Sequence, residues 1–561
     1  MPPVSDSGKS RPTRRQYLAL VGAAGAASLS GCPGLTGDGT NDGGNGDAGG
    51  TGNGGADGGR QNGIDGRDVA TGTTRDGSAI ERSATARGAA VVADVKTASR
   101  RLFAAAEAHD GLLPSILDRE SGEMLATMPP TIEGLRTDDR VFPGANLADE
   151  KPLLRTWDAL STVDGDPTFA DAADRYFDTF VETCTDTATG LWPMGEEAFW
   201  NLETDAVGDS QALDGDPRPV GAVHEHLGLL PEYLLEAVAT RDPATLQAFA
   251  DGLGWHWTDE TRTHFNRHAP IEVERYAAVP GYGTDYPRHS GFYAHDWAFA
   301  YARDQRPERR ANLVQMLDYW WESPLREHGL LPLESRRRNY REDRVDELLT
   351  HVTCSLGASL LDTAAILADV DSDLAATARE RGRHYVLGVV DAPHDYAAGR
   401  IVGSVSRDRE LRTTEPFWGS AYGDRIAATQ ALLCLAAARH LDGEARAIAR
   451  RHAVEIGELY RTVGFPDPHR GIRARDPGTV LGLYATLYER ESDEKWLTAG
   501  LDLADWVREW FLDGAPLPRG ATTLDHYEST LGPEYLLHGL ARVGFLARDG
   551  ETRLEQDFSN R

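Results

Sequence analysis

Cysteine is rare in this chain of 561 residues. Only four are present, and none belongs to a Cys-x-x-Cys motif. A thiolate metal cluster and a dense disulfide framework are therefore not expected. Cys184, Cys354 and Cys434 lie far apart on apolar stretches with helical spacing, so we expect them to be buried, free thiols.

Lysine is almost absent as well. It occurs only at Lys9, Lys96, Lys151 and Lys495, whereas acidic residues number 88 and the formal net charge is −30. The chain lacks the basic footprint of a nucleic-acid-binding protein, and we expect no such partner. An acidic, lysine-poor composition resembles that of proteins from extreme halophiles, in which the charge keeps the protein soluble in brine.

The apolar run near the N-terminus, residues 18–29, is too short to span a bilayer. It follows a twin-arginine pattern, TRRQYL at residues 13–18, and leads into an LSGC sequence that resembles a lipobox. We therefore predict an export signal over residues 1–32, lipid attachment at Cys32, and an extracellular protein anchored to the outer face of the cell membrane. The twin-arginine route carries proteins that are already folded.

A low-complexity segment follows the signal. From Gly34 to about Arg67 the chain is nearly all Gly, Asp, Asn and Thr. Such a segment cannot bury apolar surface, so we predict a flexible tether over residues 33–85. The folded domain is then expected at residues 86–547, with a polar C-terminal tail at 548–561.

The folded body carries apolar residues at helical spacing in one segment after another over residues 86–547. Strand-like alternation is scarce, and residues 401–405 are the best candidate for a small hairpin. The loops repeat a G-L-[LW]-P pattern at residues 111–114, 190–193 and 329–332, each time after a helix. This repetition predicts an all-α fold, a monomeric toroid of six or seven helical hairpins with a few short strands in its rim loops. Long loops at one rim would form a cleft.

Histidines concentrate in one part of the chain. A lone histidine is usually structural, but several close together favour metal or anionic-substrate binding. Two of them belong to a V-H-E-H motif and lie two residues apart, so they diverge by about 200° on a helix but share a face in extended backbone. We expect one metal ligand from this pair. The six histidines are His224, His226, His256, His264, His268 and His289.

The segment DYPRHSGFYAHDW, residues 285–297, crowds charged and aromatic side chains ahead of a helix. Pro287 disfavours helix in the residue before it, and Ser290 is a suitable N-cap for the helix that follows. This places Arg288 and His289 at a helix mouth, where loops line a cleft.

A family resemblance rests on the order of five motifs. H-E-H, D-P-A-T, W-H-W, F-N-R-H and R-H-S-G, within about residues 220–297, resemble family 2 polysaccharide lyases. These are pectate lyases built on a toroid of seven helical hairpins. The resemblance implies that Arg288 is the catalytic base and His289 a metal ligand. It also implies two upstream metal ligands, His226 (or His224) and Asp251, which stands about where the family has a glutamate.

The implied reaction is β-elimination in a uronate polymer such as pectate. A base removes the C5 proton, and a divalent cation on the neighbouring carboxylate stabilises the developing enolate. Histidine ligands favour Mn²⁺ or another transition metal, and Ca²⁺, which prefers oxygen ligands, is the alternative. Because arginine is normally protonated, Arg288 is alternatively a bidentate clamp for the substrate carboxylate.

Further side chains are candidates for binding an acidic saccharide. Arginines can pair with its carboxylates, and aromatic rings beside polar clusters can stack on its sugar rings. The substrate-binding candidates are His224, Arg267, Arg337, Trp257, Trp418 and Tyr286.

Two alternative functions stay open. Toroids of helical hairpins are common among polysaccharide-degrading enzymes, and a glycoside hydrolase on this fold would use a pair of carboxylates. Its candidates are Asp285, Asp296, Glu415 and Glu528. The third hypothesis is a non-catalytic surface lipoprotein that binds glycans.

Overall fold

The computed structural model describes residues 77–210, 222–258, 260–272, 285–321, 326–335 and 346–561. The predicted export signal, the lipid attachment at Cys32 and most of the predicted tether lie outside these residues. Within them, no helix is both long and apolar enough to cross a membrane.

The described part of the chain is mainly α-helical. Its fourteen α-helices are α1 (Gly77–Glu107), α2 (Leu147–Asp164), α3 (Thr168–Thr179), α4 (Glu232–Arg241), α5 (Pro243–Gly252), α6 (Pro287–Asp304), α7 (Pro307–Trp321), α8 (Thr350–Leu367), α9 (Ser372–Val390), α10 (Ala427–Ala437), α11 (Gly443–Val463), α12 (Arg475–Glu491), α13 (Glu494–Val507) and α14 (Pro533–Asp549).

Six of these helices form an inner ring. Helices α2, α6, α8, α10, α12 and α14 are buried over most of their length, which agrees with their largely apolar or small side chains. Going round the ring, α6 packs on α8, α8 on α10, α10 on α12, α12 on α14, and α14 on α2. The predicted all-α toroid is thus confirmed.

The remaining helices lie outside or complete the ring. Helices α3, α7, α9, α11 and α13 each pair with the inner helix that precedes them, and α1 pairs with α14. The short hairpin of α4 and α5 fills the space between α3 and α6. Where α1 crosses α14, a Cβ atom added at Gly88 would lie 2.7 Å from the Gly544 carbonyl oxygen, so glycine permits this close approach.

The connections fix the direction of the inner helices. Consecutive inner helices are separated by one antiparallel outer helix, or by three helices between α2 and α6, so all six run in the same direction. Their N-termini therefore gather at one end of the toroid. Each N-terminus carries unpaired N–H groups and a partial positive charge, so this end of the ring attracts anions before any side chain is considered.

Short strands line the loops, as predicted. They are β1 (Ile116–Asp118), β2 (Gly144–Ala145), β3 (Phe199–Asn201), β4 (Ala206–Gly208), β5 (Val223–His224), β6 (Ala269–Pro270), β7 (Leu331–Pro332), β8 (Glu347–Leu349), β9 (Val402–Ser406), β10 (Leu411–Thr414) and β11 (His526–Glu528). Their sheets are β1-β11, β2-β3-β4, β5-β6 and β10-β9-β8-β7, with antiparallel pairing throughout. The hairpin expected at residues 401–405 is β9 with β10.

The N-termini of three helices are set in different ways. Asp242 caps α5 by accepting a hydrogen bond from the Ala244 N–H, with proline at the first helical position. Helix α6 begins at Pro287 rather than after Ser290, because proline suits the first helical position and Tyr286 is already extended. Helix α1 begins at Gly77, inside the segment predicted as tether.

The C-terminal segment packs onto the body. Gln556, Asp557, Ser559 and Arg561 are buried, and Arg561 donates hydrogen bonds to Ser359 and Asp362 of α8. Polar residues of the predicted tail, 548–561, therefore bond to one another and to the inner helices. Cys184, Cys354 and Cys434 are buried and free, as expected.

Candidate active site

Titratable side chains converge where the inner helices begin. Arg288 lies in the first turn of α6, His351 in the first turn of α8, Arg425 just before α10, and Arg475 at the start of α12. On α2, Asp149 lies in the first turn and pairs with Arg475. We call this end of the toroid, with the loops that cover it, the candidate site.

Glu225 is the anionic centre of one half of the site. Its carboxylate pairs with Arg267, accepts hydrogen bonds from His268 Nε2 at 2.8 Å and His289 Nε2 at 3.0 Å, and lies 3.9 Å from Arg288 Nη2. Burial alone would raise the pKa of Glu225, but Arg267 and His268 reverse this and hold the pKa well below its ordinary value. Glu225 is therefore ionised.

The β5–β6 pairing explains why Glu225 meets His268. In its antiparallel register, Val223 faces Pro270 and His224 faces Ala269, so the next pair brings Glu225 opposite His268. Because side chains alternate along extended backbone, Glu225 points to the site while His224 and His226 point into the toroid.

Glu197 completes a group that could hold a metal ion. Its carboxylate lies 3.6 Å from His268 Nε2, and ligand atoms of Glu197, Glu225 and His268 all lie within 4.8 Å of one another. Two mutual backbone hydrogen bonds between Gly195 and Ala198 close a tight turn that presents Glu197. A Cβ atom added at Gly195 would lie 2.2 Å from Asn146 Oδ1, so only glycine fits this turn.

The donor set fits a divalent transition metal. Two carboxylates and one imidazole, all buried, match the ligand preferences of ions such as Mn²⁺. His268 Nε2 and Glu225 Oε2, 2.8 Å apart, are at hydrogen-bond distance, so an ion bound between them would require a small outward shift of both. These three residues are the metal candidates that the structure supports.

Arg288 and Arg425 supply the opposite charge, and the described residues neutralise it only in part, through the 3.9 Å contact of Arg288 with Glu225. Among the described residues Arg288 donates no hydrogen bond, and Arg425 forms neither a hydrogen bond nor an ion pair. Burial, together with the nearby charges of Arg288, Arg473 and Arg475, lowers the pKa of Arg425 to about 9. Because nearby positive charges repel this guanidinium, an anionic ligand would stabilise it.

His351 and Glu415 form a neutral pair beside these arginines. His351 Nδ1 lies 3.9 Å from Glu415 Oε1. Burial lowers the pKa of His351 to about 3, with added repulsion from Arg425 and Arg288. Burial raises the pKa of Glu415 to about 8, which Arg425 offsets only in part. At neutral pH the imidazole is therefore unprotonated and the carboxyl is protonated.

Several predicted residues lie in the interior instead. His224 Nδ1 is 2.9 Å from His256 Nε2, and His226 Nε2 is 3.2 Å from Asp296 Oδ2, all of them buried. The predicted ligand role of His226 is therefore not supported, and neither is substrate binding by His224. Trp257 is also a core residue: its ring stacks on Trp297 and its indole N–H donates to Asn312.

Asp251 is the clearest mismatch among the predicted ligands. It lies on the outer face of α5, with its side chain 48% exposed, and pairs with Arg306 and Arg309. The helical period turns it away from the histidines. Glu225 takes the place that the prediction gave to Asp251.

Two of the predicted acid–base carboxylates have structural hydrogen-bond partners outside the site. Asp285 is buried and accepts hydrogen bonds from the Tyr319 hydroxyl and from the Ser335 N–H, which anchors the start of α6. Glu528 is buried and binds Arg140 through both carboxylate oxygens, at 2.6 and 2.9 Å. Glu415 remains in the site, whereas these two are structural.

The other predicted residues fall as follows. His289 and Arg267 lie in the site and contact Glu225. The guanidinium carbon of Arg267 lies 4.9 Å from the ring centroid of Tyr286. Trp418 is half-buried, and its indole N–H donates to the Gly464 carbonyl. Arg337 lies outside the described residues.

Sequence reasoning missed the residues that complete the site. Glu225 stands between the two histidines of the H-E-H motif, and the alternation of extended backbone was the signal for it. Glu197 follows the second G-L-W-P loop in a Gly-Glu-Glu turn. His351 and Arg425 had no sequence signal, because each stands outside any recognisable motif at the start of an apolar helix.

A comparison with protein-family models finds no match, and a comparison with curated proteins finds none either. Among solved structures, a sugar epimerase from a ruminal bacterium is 11% identical, with 81% of this chain and 99% of that chain covered and a TM-score of 0.39. A D-mannose isomerase is 8% identical, with coverages of 81% and 97% and a TM-score of 0.41. The α-1,6-mannanase from Salegentibacter sp. HEL1_6 is 7% identical, with coverages of 80% and 98% and a TM-score of 0.38. Likenesses this low carry no conclusion about activity.

Proposed function

We propose that this protein is an enzyme that cleaves an acidic polysaccharide by β-elimination at a uronate residue. The observation that carries the proposal is a pair of guanidinium groups at the N-terminal end of the inner helices. Among the described residues Arg425 has no ion pair, and Arg288 has only a 3.9 Å contact with Glu225 and donates no hydrogen bond. We further propose that it acts outside the cell on a lipid anchor, as the N-terminal sequence predicts.

The site favours a carboxylate ligand for two independent reasons. Five arginines, Arg267, Arg288, Arg425, Arg473 and Arg475, cluster in a protein whose formal net charge is −30. The N-terminal dipoles of the inner helices add positive potential at the same end. A uronate carboxylate would give Arg288 and Arg425 the bidentate partners that they lack.

Glu197, Glu225 and His268 would hold a divalent ion on the other side of that carboxylate. A bound ion would act as a Lewis acid that makes the adjacent C5–H more acidic. Arg288 lies beside this group, 3.9 Å from Glu225. It can therefore orient the carboxylate without taking part in proton transfer.

His351 and Glu415 are suited to the two proton transfers. His351 takes the C5 proton, the C5–H electrons form the C4–C5 double bond, and the C4–O4 bond breaks. Glu415 gives its proton to the leaving O4. The imidazolium can then return a proton to the Glu415 carboxylate 3.9 Å away, which restores both groups. A carboxylate bound to Arg288 and Arg425 offsets the charges that lower the pKa of His351, so substrate makes the imidazole a stronger base.

The closeness of this pair selects the stereochemistry. Groups that act from opposite sides of a sugar lie roughly 5–10 Å apart, whereas these two are separated by 3.9 Å. Proton removal and proton donation therefore take place on one face of the ring. Glucuronate and mannuronate have the C5–H and C4–O bonds on the same face, whereas galacturonate has them on opposite faces.

Incubation with polyglucuronate, polymannuronate and polygalacturonate in high salt, with and without Mn²⁺, tests the proposal. We expect ultraviolet absorbance from the unsaturated product, strongest with the first two polymers, and loss of the signal after chelation. Cleavage of polygalacturonate alone would mean that the C5 proton is removed from the opposite face of the ring, by a base on the Arg288 side of the cleft. New reducing ends without the chromophore would support a glycoside hydrolase, and absence of any cleavage would refute the proposal.

The pH dependence of turnover tests the role of Glu415. Because a proton donor must carry its proton, we expect kcat to fall as the pH rises through about 8, where Glu415 ionises. Glu415→Gln should lower kcat by about 10²–10⁴-fold, the usual contribution of general acid–base catalysis. A rate profile between pH 6 and 10 measures this. A rate that stays level through pH 8, or a Gln variant with normal kcat, would contradict the assignment.

A further inference from the structure

An exposed aromatic surface lies beside the candidate site. Among the described residues only Leu411, Val463 and Phe465 are large hydrophobic side chains with strong exposure, at 44%, 48% and 51%. Two of these flank Gly464. Phe465 rests one face on Trp506, with ring centroids 6.2 Å apart and an interplanar angle of 28°. The Phe465 side chain is nevertheless 51% exposed, which leaves aromatic surface available to a ligand.

The chain path connects this surface to the site. Helix α11 is an outer helix, so its C-terminal end, Val463, lies at the same end of the toroid as the inner N-termini. The loop that follows runs through Phe465 directly to Arg473 and Arg475. A second loop contacts the first, because the Trp418 indole donates to the Gly464 carbonyl at 3.0 Å. That second loop begins at Glu415 and ends at Arg425.

Within the described residues, a cation without a carboxylate partner contacts the second loop. Arg470 is exposed, and its guanidinium contacts the Ser420 hydroxyl at 3.3 Å. In the part of the chain that the structure describes, Arg470 has no carboxylate partner. Arg470 and Phe465 are thus connected to the same loop, Arg470 at Ser420 and Phe465 through Gly464 at Trp418. In a protein this acidic, an arginine without a carboxylate partner and an exposed aromatic ring on one loop are complementary to a saccharide that bears carboxylates.

We infer that Phe465 and Arg470 form a distal subsite for the acidic polysaccharide, which holds a sugar ring remote from the bond that is cleaved. Phe465 stacks on the ring and Arg470 pairs with its carboxylate, while Trp418 links the two loops. The inference rests on the proposed function and deepens it: the natural substrate is a long chain that spans both places, rather than a short oligosaccharide.

The experiment compares Phe465→Ala and Arg470→Gln with the control Leu411→Ala, which removes an exposed apolar side chain from β10. Retardation of each protein in gels containing polyglucuronate or polygalacturonate measures binding without turnover. We expect Phe465→Ala to weaken polymer binding about tenfold, equal to about 1.4 kcal/mol, and Arg470→Gln to abolish part of the salt dependence of binding. Leu411→Ala should bind like the unchanged protein.

Steady-state kinetics provide the second measurement. The rise in KM from Phe465→Ala should be confined to long polymers, with trisaccharide turnover retained. Equal binding and equal KM for all variants, an equal loss with short substrates, or no binding of either polymer would overturn the inference. If the unchanged protein binds polymer but produces no chromophore, and Phe465→Ala weakens that binding, the subsite stands and the proposed reaction fails.

Discussion

Replacement of Arg425 by methionine should abolish most activity while making the protein more stable. Arg425 has no anionic partner in the described residues and lies near Arg288, Arg473 and Arg475. Without substrate this repulsion is uncompensated, so a neutral side chain should raise the free energy of unfolding by about 0.5–2 kcal/mol. With substrate, the loss of a charge-assisted bidentate contact should lower kcat/KM about 10²–10³-fold.

Thermal unfolding and uronate cleavage, measured on the same preparations, test whether stability rises while activity falls. Arg241→Met is the matched control, because Arg241 is paired with Asp174 and Asp178 on the outer surface. We expect this control to keep full activity and to lose a little stability. A less stable Arg425→Met variant would show that the guanidinium has a structural partner, and an active one would remove Arg425 from substrate binding.

Glu225→Gln should have the opposite effect on stability. The carboxylate balances Arg267 and accepts hydrogen bonds from His268 and His289, so its loss leaves a partly buried cation uncompensated. We expect destabilisation of about 3 kcal/mol, together with loss of metal binding and of activity. Isothermal titration with Mn²⁺ and chemical denaturation measure the two effects separately. Glu236→Gln, which breaks only the exposed pair with Arg303, is the control.

The pH dependence of this destabilisation follows from linkage. The pKa of Glu225 is lower in the folded state than its ordinary value of 4.5, so its stabilisation is fully present above that value and is lost as the pH falls through the folded-state pKa. The difference in stability between the unchanged protein and Glu225→Gln should therefore be largest near neutrality and shrink in acid. A difference that stays constant down to pH 3 would mean that folding does not lower the pKa of Glu225.

The fold could be predicted from the sequence because a helix that is buried on one face carries apolar residues at a regular spacing. Apolar residues at a spacing of three and four define each inner helix, and the repeated G-L-[LW]-P loops mark the ends of outer helices. Element boundaries were less accessible. The start of α6 at Pro287 was placed too late, since both proline and the downstream serine are good helix starts and only packing decides between them.

The candidate site was accessible only where its residues are close in sequence. Arg288, His289 and Arg267 were identified because they belong to a dense polar segment, and Glu415 because it stands among aromatic residues. Asp251 was chosen by position in a motif, but the direction of α5 sends it to solvent. The site depends on the convergence of six helix N-termini, a property of the closed ring that no local pattern contains.

The closure of the ring has a consequence for when the protein can fold. The last helix, α14, packs on α2 within the ring and on α1, the first described helix, whose backbone it meets at Gly88 and Gly544. Such a contact has the greatest sequence separation in the body and is slow to form. A chain emerging from the ribosome cannot complete the ring until α14 has been made. If the chain crossed a membrane while still unfolded, the apolar face of α1 would stay exposed until α14, its packing partner, had also crossed.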